Sequence, residues 1–190
     1  GMGEPLHNYD ATMKALRMLA APEGLGLTPR RVTLSTVGLI PALERLAIEA
    51  WVPNLAVSLH ATTDELRHKL IPTSRTQRLE DLLDVCRRFP LKHRERITFE
   101  YVLLDGVNDL DADARRLAGL LGALPAKVNL IPLNPAPGIP FARPSDSRVD
   151  RFAAALARRG VRVSVRKSRG QDIRAACGQL IIEGDPPRSP

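Results

Sequence analysis

The chain has 190 residues, 44% of them hydrophobic, and a formal net charge of +7, a composition that excludes a disordered tail and predicts one domain with a buried core. No apolar run reaches the length of a membrane span, and the first residues lack the basic-then-apolar layout of a signal peptide, so the expectation is a cytoplasmic protein with no membrane association. Cys86 and Cys177 are the only two cysteines, too few for a disulfide framework, and neither has a CxxC partner.

Along the chain, helical and strand patterns alternate. Apolar residues recur at helical spacing from Tyr9 to Ala20, and the Pro-Glu-Gly-Leu-Gly that follows breaks the pattern before a short strand from Arg31 to Ser35. Pro41 to Trp51 reads as a helix with proline in its first turn, and Asn54 to Leu59 as a buried strand. Thr63 is placed to cap the next short helix. Gln77 to Phe89 reads as an amphipathic helix, Ile97 to Leu104 as a strand, Asp111 to Leu124 as a helix and Val128 to Pro132 as a buried strand. A helix from Ser147 to Arg159 and a strand from Val161 to Arg166 complete the series. This alternation predicts an α/β fold with a parallel sheet covered by helices. Residues 1–183 form the core, and the segment from Gly184 to Pro190, with three prolines, reads as a loose tail.

Charge is unevenly placed. Between Arg148 and Arg174 there are nine basic and two acidic residues, which is the whole net charge of +7. That excess suits a polyanion such as RNA, gripped through phosphates because the chain has only seven aromatic residues for base stacking. A solvated helix face followed by a basic edge strand accounts for the same run. Cys177 lies next to it in RGQDIRAACGQL, where Arg166, Lys167, Arg169 and Arg174 would favour the thiolate; a buried, inert cysteine is the competing reading. Cys86 falls on the apolar stripe of its helix and is expected in the core.

Parallel sheets collect chemistry at the carboxyl ends of their strands. Ser35, Thr36, Ser58, His60, Asp105, Asn108 and Asn134 are expected there, with Gly3 and Glu4 ending a strand whose start is missing. Glu4 is either an acceptor for an ammonium group or a solvated turn carboxylate. His60 has no second ligand at metal spacing, so no metal site is expected. Asn134 faces a ligand or serves a proline-rich turn. Glu100, inside an apolar strand, faces a pocket or pairs with a cation, the pocket being preferred.

Taken in order, GMGEPLHNYD, VTLSTVGLIP, LAVSLHA, FEYVLLDGVND, VNLIPLNP and RGQDIRAACGQL resemble the RlmN- and Cfr-type radical S-adenosylmethionine RNA adenine methyltransferases, the RlmN type above all. The resemblance runs from Gly1 to about Leu180. It implies a (β/α) barrel that is incomplete, lacking the first strand and an N-terminal accessory domain. It implies methylation of adenine carbon 2 in 23S rRNA and in tRNA through a methyl-cysteine intermediate. The alternatives are methylation of carbon 8, as in the Cfr type, and a basic α/β module that binds RNA without catalysis.

By the same resemblance, Gly3, Glu4, Ser35, Ser58, Leu59, His60 and Asn134 contact S-adenosylmethionine, and Cys177 carries the methyl group. Arg166, Lys167, Arg169 and Arg174 are the expected RNA contacts. An adenine ring carbon is electron-poor and offers no nucleophile for ordinary methyl transfer, a limitation that a carbon radical avoids. The family's CxxxCxxC loop, which holds a 4Fe-4S cluster, is absent from this sequence, as is the second catalytic cysteine. Both precede the Gly-Met-Gly-Glu-Pro block in the family, so the expectation is a truncated reading. The chain alone is then inactive, and the longer protein is a monomer that needs an electron donor for its cluster.

Overall fold

A computed structural model describes residues 3–135 and 138–166. Five strands, β1 (Thr33–Thr36), β2 (Asn54–Ser58), β3 (Ile97–Leu103), β4 (Ala126–Pro132) and β5 (Arg162–Val165), form one sheet in the order β1-β2-β3-β4-β5, with every neighbouring pair parallel. Strands added in one direction only give the winding of a barrel wall, because an open doubly wound sheet reverses its order at a switch point. The helices are α1 (Tyr9–Ala20), α2 (Ile40–Ala47), α3 (Asp64–Leu70), α4 (Leu79–Arg88), α5 (Asp111–Leu121) and α6 (Asp146–Ala157).

Local chemistry sets the boundaries. Thr63 caps α3 by accepting from the Leu66 amide, as expected. Ser145 caps α6 through the Arg148 amide, so that helix starts one residue before the expected Ser147. α5 stops at Leu121 and not at Leu124, because Gly122 follows it with φ +44°. α2 ends at Ala47, short of the expected Trp51.

Alternation along the strands divides the sheet into two unlike faces. Leu34, Leu55, Val57, Phe99, Tyr101, Val128 and Leu130 are buried on one face and join Leu43, Leu82, Leu83, Leu117, Phe152 and Leu156 from the helices in one core. Cys86 lies in that core, as its stripe position implied. The other face is polar and carries two rows in register. One is Ser35, Ala56, Thr98, Lys127 and Arg162. The second, nearer the carboxyl ends, is Ser58, Glu100, Asn129 and Ser164. In this second row the Ser164 hydroxyl donates to Asn129 Oδ1 at 3.0 Å, and the Asn129 amide donates to Glu100 Oε2 at 2.9 Å. Glu100 thus faces the polar side of the sheet, and its protein partner among the described residues is an amide, not a cation.

Candidate functional site at the carboxyl ends of the strands

Because all five strands are parallel, their carboxyl ends share one edge, and the segment Gly3 to Asn8 lies against it beside β1. Glu4 caps the 3-10 turn Pro5–Asn8 by accepting from the Leu6 amide at 3.0 Å. The Thr36 hydroxyl, at the end of β1, donates to Glu4 Oε1 at 2.7 Å, and the Val37 amide donates to Oε2 at 2.6 Å. Three donors thus fix the half-buried carboxylate. They use two lone pairs of Oε1 and one of Oε2, which leaves acceptor capacity on Oε2 for a cationic ligand. The Thr36 hydroxyl accepts in turn from Gly38 N at 3.0 Å. Gly38 has φ +92°, and a Cβ there would stand 2.6 Å from a Leu82 methyl, so glycine is required by backbone conformation and by the approach of α4.

Buried Arg67, which the sequence reading did not single out, ties the ends of β1 and β2 together. It is 0% exposed, and its Nη2 donates to the Val37 carbonyl at 2.6 Å and the Ser58 carbonyl at 3.2 Å. Among the described residues its Nε and Nη1 have no hydrogen-bond partner. Desolvation pulls its pKa down to about 10, so it stays charged at neutral pH. Val37 therefore links Arg67, through its carbonyl, to Glu4, through its amide.

His60 follows β2 with φ +57°. Its Nδ1 accepts from the Val102 amide at 3.1 Å, which places the ring proton on Nε2. Burial, with Arg67 nearby as a second cause, lowers its pKa from 6.5 to about 4, so the ring is neutral at pH 7. The turn is held by Asn108, whose Nδ2 donates to the His60 carbonyl at 2.8 Å and the Val102 carbonyl at 2.7 Å. Asn108 Oδ1 accepts from the Leu104 amide, and Tyr101 donates to the Asn108 carbonyl. Asn108, expected at the ligand edge, is buried and acts as an internal latch.

The structure places Gly3, Glu4, Ser35, Ser58, Leu59, His60 and Asn134 as follows. Glu4, Ser58, His60 and Asn134 stand at or just beyond the carboxyl ends of the strands and are half-buried. Ser35 lies on the polar face one row lower and is exposed. The hydroxyls of Ser35 and Ser58 make no hydrogen bond to the described residues. Leu59 is wholly buried, so its side chain belongs to the core and its amide donates to the Glu100 carbonyl. Gly3 is exposed, with open space where a Cβ would stand. Arg166 is exposed at the end of β5, whereas Lys167, Arg169, Arg174 and Cys177 lie outside the described residues.

This donor set suits S-adenosylmethionine: a residual carboxylate lone pair for the ammonium, an imidazole N–H, the Ser58 hydroxyl at the edge and the Ser35 hydroxyl one row below it, the two hydroxyls unengaged among the described residues. It does not suit an iron–sulfur cluster. The chain has two cysteines, and the Cys86 thiol is buried, its pKa pushed up to about 12 by desolvation. Among the described residues no group of three His, Cys, Asp or Glu side chains is arranged to hold a metal, and no helix is long and apolar enough to cross a membrane.

The chain is 53% identical over 183 residues to a dual-specificity RNA methyltransferase RlmN of Syntrophobacter fumaroxidans, covering 96% of this chain and 53% of that protein. It is also 53% identical to the protein of the same name in Anaeromyxobacter dehalogenans, covering 98% and 50%. The chain thus spans about half the length of the curated relatives it matches. A crystal structure of a radical SAM methyltransferase from Sphaerobacter thermophilus superposes with a TM-score of 0.89 at 53% identity, over 94% of this chain and 52% of that one. A domain of a pyruvate-formate lyase-activating enzyme from Bacteroides vulgatus shares the fold, with a TM-score of 0.66 at 16% identity, over 87% and 95%. The sequence pattern of the radical SAM superfamily matches residues 1–118, and with its five-stranded parallel partial barrel the chain belongs to that superfamily.

Proposed function

We propose that this chain supplies the cosubstrate-binding wall and the methyl-carrying cysteine of a radical SAM RNA methyltransferase acting on adenine carbon 2 in 23S rRNA and in tRNA. The observation that carries the reading is the convergence of Glu4, Ser58 and His60 on one strand edge, in a chain 48–53% identical to proteins named dual-specificity RNA methyltransferase RlmN. Glu4 binds the ammonium group of S-adenosylmethionine through the free lone pair of Oε2, its position fixed by Thr36 and Val37. Ser35 and Ser58 offer hydroxyls to the polar parts of the cosubstrate, and neutral His60 offers its Nε2 proton. Asn134 lines the same edge from β4.

Cys177 is the acceptor of the methyl group, and Arg166, Lys167, Arg169 and Arg174 bring RNA phosphates towards it. The superfamily's reductive cleavage of S-adenosylmethionine needs a 4Fe-4S cluster that two cysteines cannot hold, so we assign no radical step to this chain's residues. The 190-residue chain alone makes no product. An upstream CxxxCxxC segment and an electron donor complete the enzyme, which works in the cytoplasm as a monomer.

The test is anaerobic incubation of 23S rRNA and tRNA with methyl-labelled S-adenosylmethionine, reductant and the protein with and without its upstream coding sequence, followed by nucleoside mass spectrometry. The reading expects 2-methyladenosine from the longer protein only. 8-Methyladenosine would move the assignment to the other adenine carbon, and unmodified RNA from the longer, cluster-loaded protein would overturn it.

A further inference from the structure

At the opposite edge of the sheet, the amino ends of the strands open into a groove of about 670 Å³ whose charge is one-sided. Arg30, Arg94, Arg96, Lys127 and Arg162 line it, and none of the five makes an ion pair with the described residues. Among the described residues the single carboxylate in the lining is Glu95, which accepts from the Lys92 amide at 2.9 Å. Some cations elsewhere are paired, Arg87 with Glu80 and Asp84, Arg45 with Asp10 and Arg116 with Asp113, and others make no ion pair among the described residues. The groove differs in gathering five unpaired cations around one concave lining.

Two details make it costly to maintain. Lys127 and Arg162 are direct partners in the β4–β5 register, and like charges directly opposite on adjacent strands repel. Arg94 adopts φ +70°, a left-handed conformation that disfavours a long side chain, in the turn between α4 and β3. Arg96 and Thr98 share one face, which sets Arg96 towards the Lys127–Arg162 pair. A like-charged cluster with local backbone strain is the expected signature of a site completed by an anion.

The size and chemistry of the groove narrow the anion. Arg30 precedes β1 and Arg162 opens β5, so the cations run across the whole sheet, about 19 Å at the usual strand spacing. A single phosphate or a nucleotide would engage one part of such a row, whereas a run of phosphodiesters engages all of it. Among the described residues no Phe, Tyr or Trp lines the groove, which offers charge in place of base stacking on those rings. We propose that this groove binds the phosphodiester backbone of RNA, as a second contact surface at the edge of the sheet opposite Glu4 and His60. The choice of RNA over other polyanions rests on the proposed function above.

The test is the binding of a 5'-fluorescein RNA hairpin to the 190-residue chain by anisotropy, across a potassium chloride series, for wild type, R94E/R96E/K127E and R94Q/R96Q/K127Q. The proposal expects at least tenfold weaker binding for the charge reversal and a smaller loss for the neutral variant. The slope of log K against log salt should fall by about two to three, the change expected for losing three phosphate contacts. Thermal midpoints should hold or rise, since repulsion is relieved. S-Adenosylmethionine affinity, measured on the same proteins by equilibrium dialysis, should not change. Unchanged RNA affinity and salt slope in both variants overturn the groove and leave the methyltransferase reading standing. Groove-dependent binding of the hairpin together with unmodified RNA from the longer, cluster-loaded protein leaves the groove standing and overturns the methyltransferase reading.

Discussion

The Thr36 hydroxyl donates to Glu4 Oε1 over 2.7 Å, joining residues thirty-two positions apart, and so couples the end of β1 to the carboxylate proposed to bind the cosubstrate. Glu4→Gln keeps one acceptor but turns an amide N–H towards the Val37 N–H or the ligand ammonium. It should weaken S-adenosylmethionine binding by roughly 10–100-fold, the range of one charge-assisted hydrogen bond. Thr36→Val removes a buried donor and the acceptor of Gly38 N, and should cost about 1–3 kcal/mol of stability with a few-fold loss of affinity. Equilibrium dialysis and urea unfolding measure the two effects. Wild-type affinity in Glu4→Gln would remove Glu4 from the site.

Arg67 should matter more for binding than for stability when replaced by a side chain of similar length. Arg67→Met removes a desolvated charge together with its two carbonyl contacts, and relief of the desolvation penalty offsets much of the cost, about 1–3 kcal/mol, of leaving those carbonyls without that donor. Val37 then loses its anchor, and Glu4 keeps the Leu6 and Thr36 donors while its Oε2 loses a firmly placed Val37 amide. The expectation is a loss of S-adenosylmethionine affinity of roughly tenfold with a melting temperature within a few degrees of wild type. Arg67→Ala, which also opens a cavity, should cost about 3 kcal/mol or more. Unchanged affinity in Arg67→Met would reduce Arg67 to a packing residue.

The parallel fold was legible because its strands announce themselves: LAVSL and VNLIP are short apolar runs flanked by helical patterns, and parallel pairing follows from the alternation of strand and helix. Leu59 and Cys86 behave as their apolar neighbours predict. The Glu4 clamp was only half legible, since Ser35 and Thr36 both end β1 and the sequence offers no reason why Thr36 takes the carboxylate. Arg67 was not legible at all. It lies in DELRHKL, which reads as a solvated helix, and its burial comes from carbonyls of two other strands' ends. The basic groove was hidden for the same reason. Counting charge along the chain assigns all the excess to residues 148–174, whereas strand register sets Arg162 beside Lys127.

The two cysteines should behave in opposite ways. Cys86 is buried, and desolvation raises its pKa to about 12, so in the native state it should resist thiol reagents that require the thiolate. Cys86→Ala removes one small core side chain and should cost about 1–2 kcal/mol, leaving RNA methylation by the cluster-loaded longer protein intact. Cys177→Ala in the same protein should keep S-adenosylmethionine binding and abolish product. Methylation retained by Cys177→Ala would refute the methyl-carrying role.

His60 gives the fold a dependence on acid. Its pKa falls from 6.5 to about 4 on folding, so the native state holds the neutral ring while the unfolded chain takes up a proton. The contribution to stability is full above pH 6.5 and is lost as pH falls towards 4, on the order of 3 kcal/mol by linkage. Asparagine tolerates the φ of +57° and offers an oxygen to the Val102 amide. His60→Asn should therefore fold and lose less stability between pH 7 and pH 4.5 than wild type, measured by urea unfolding at both values. Equal losses in the two proteins would mean that His60 does not carry the acid sensitivity, and that its ring titrates alike in the folded and unfolded chains.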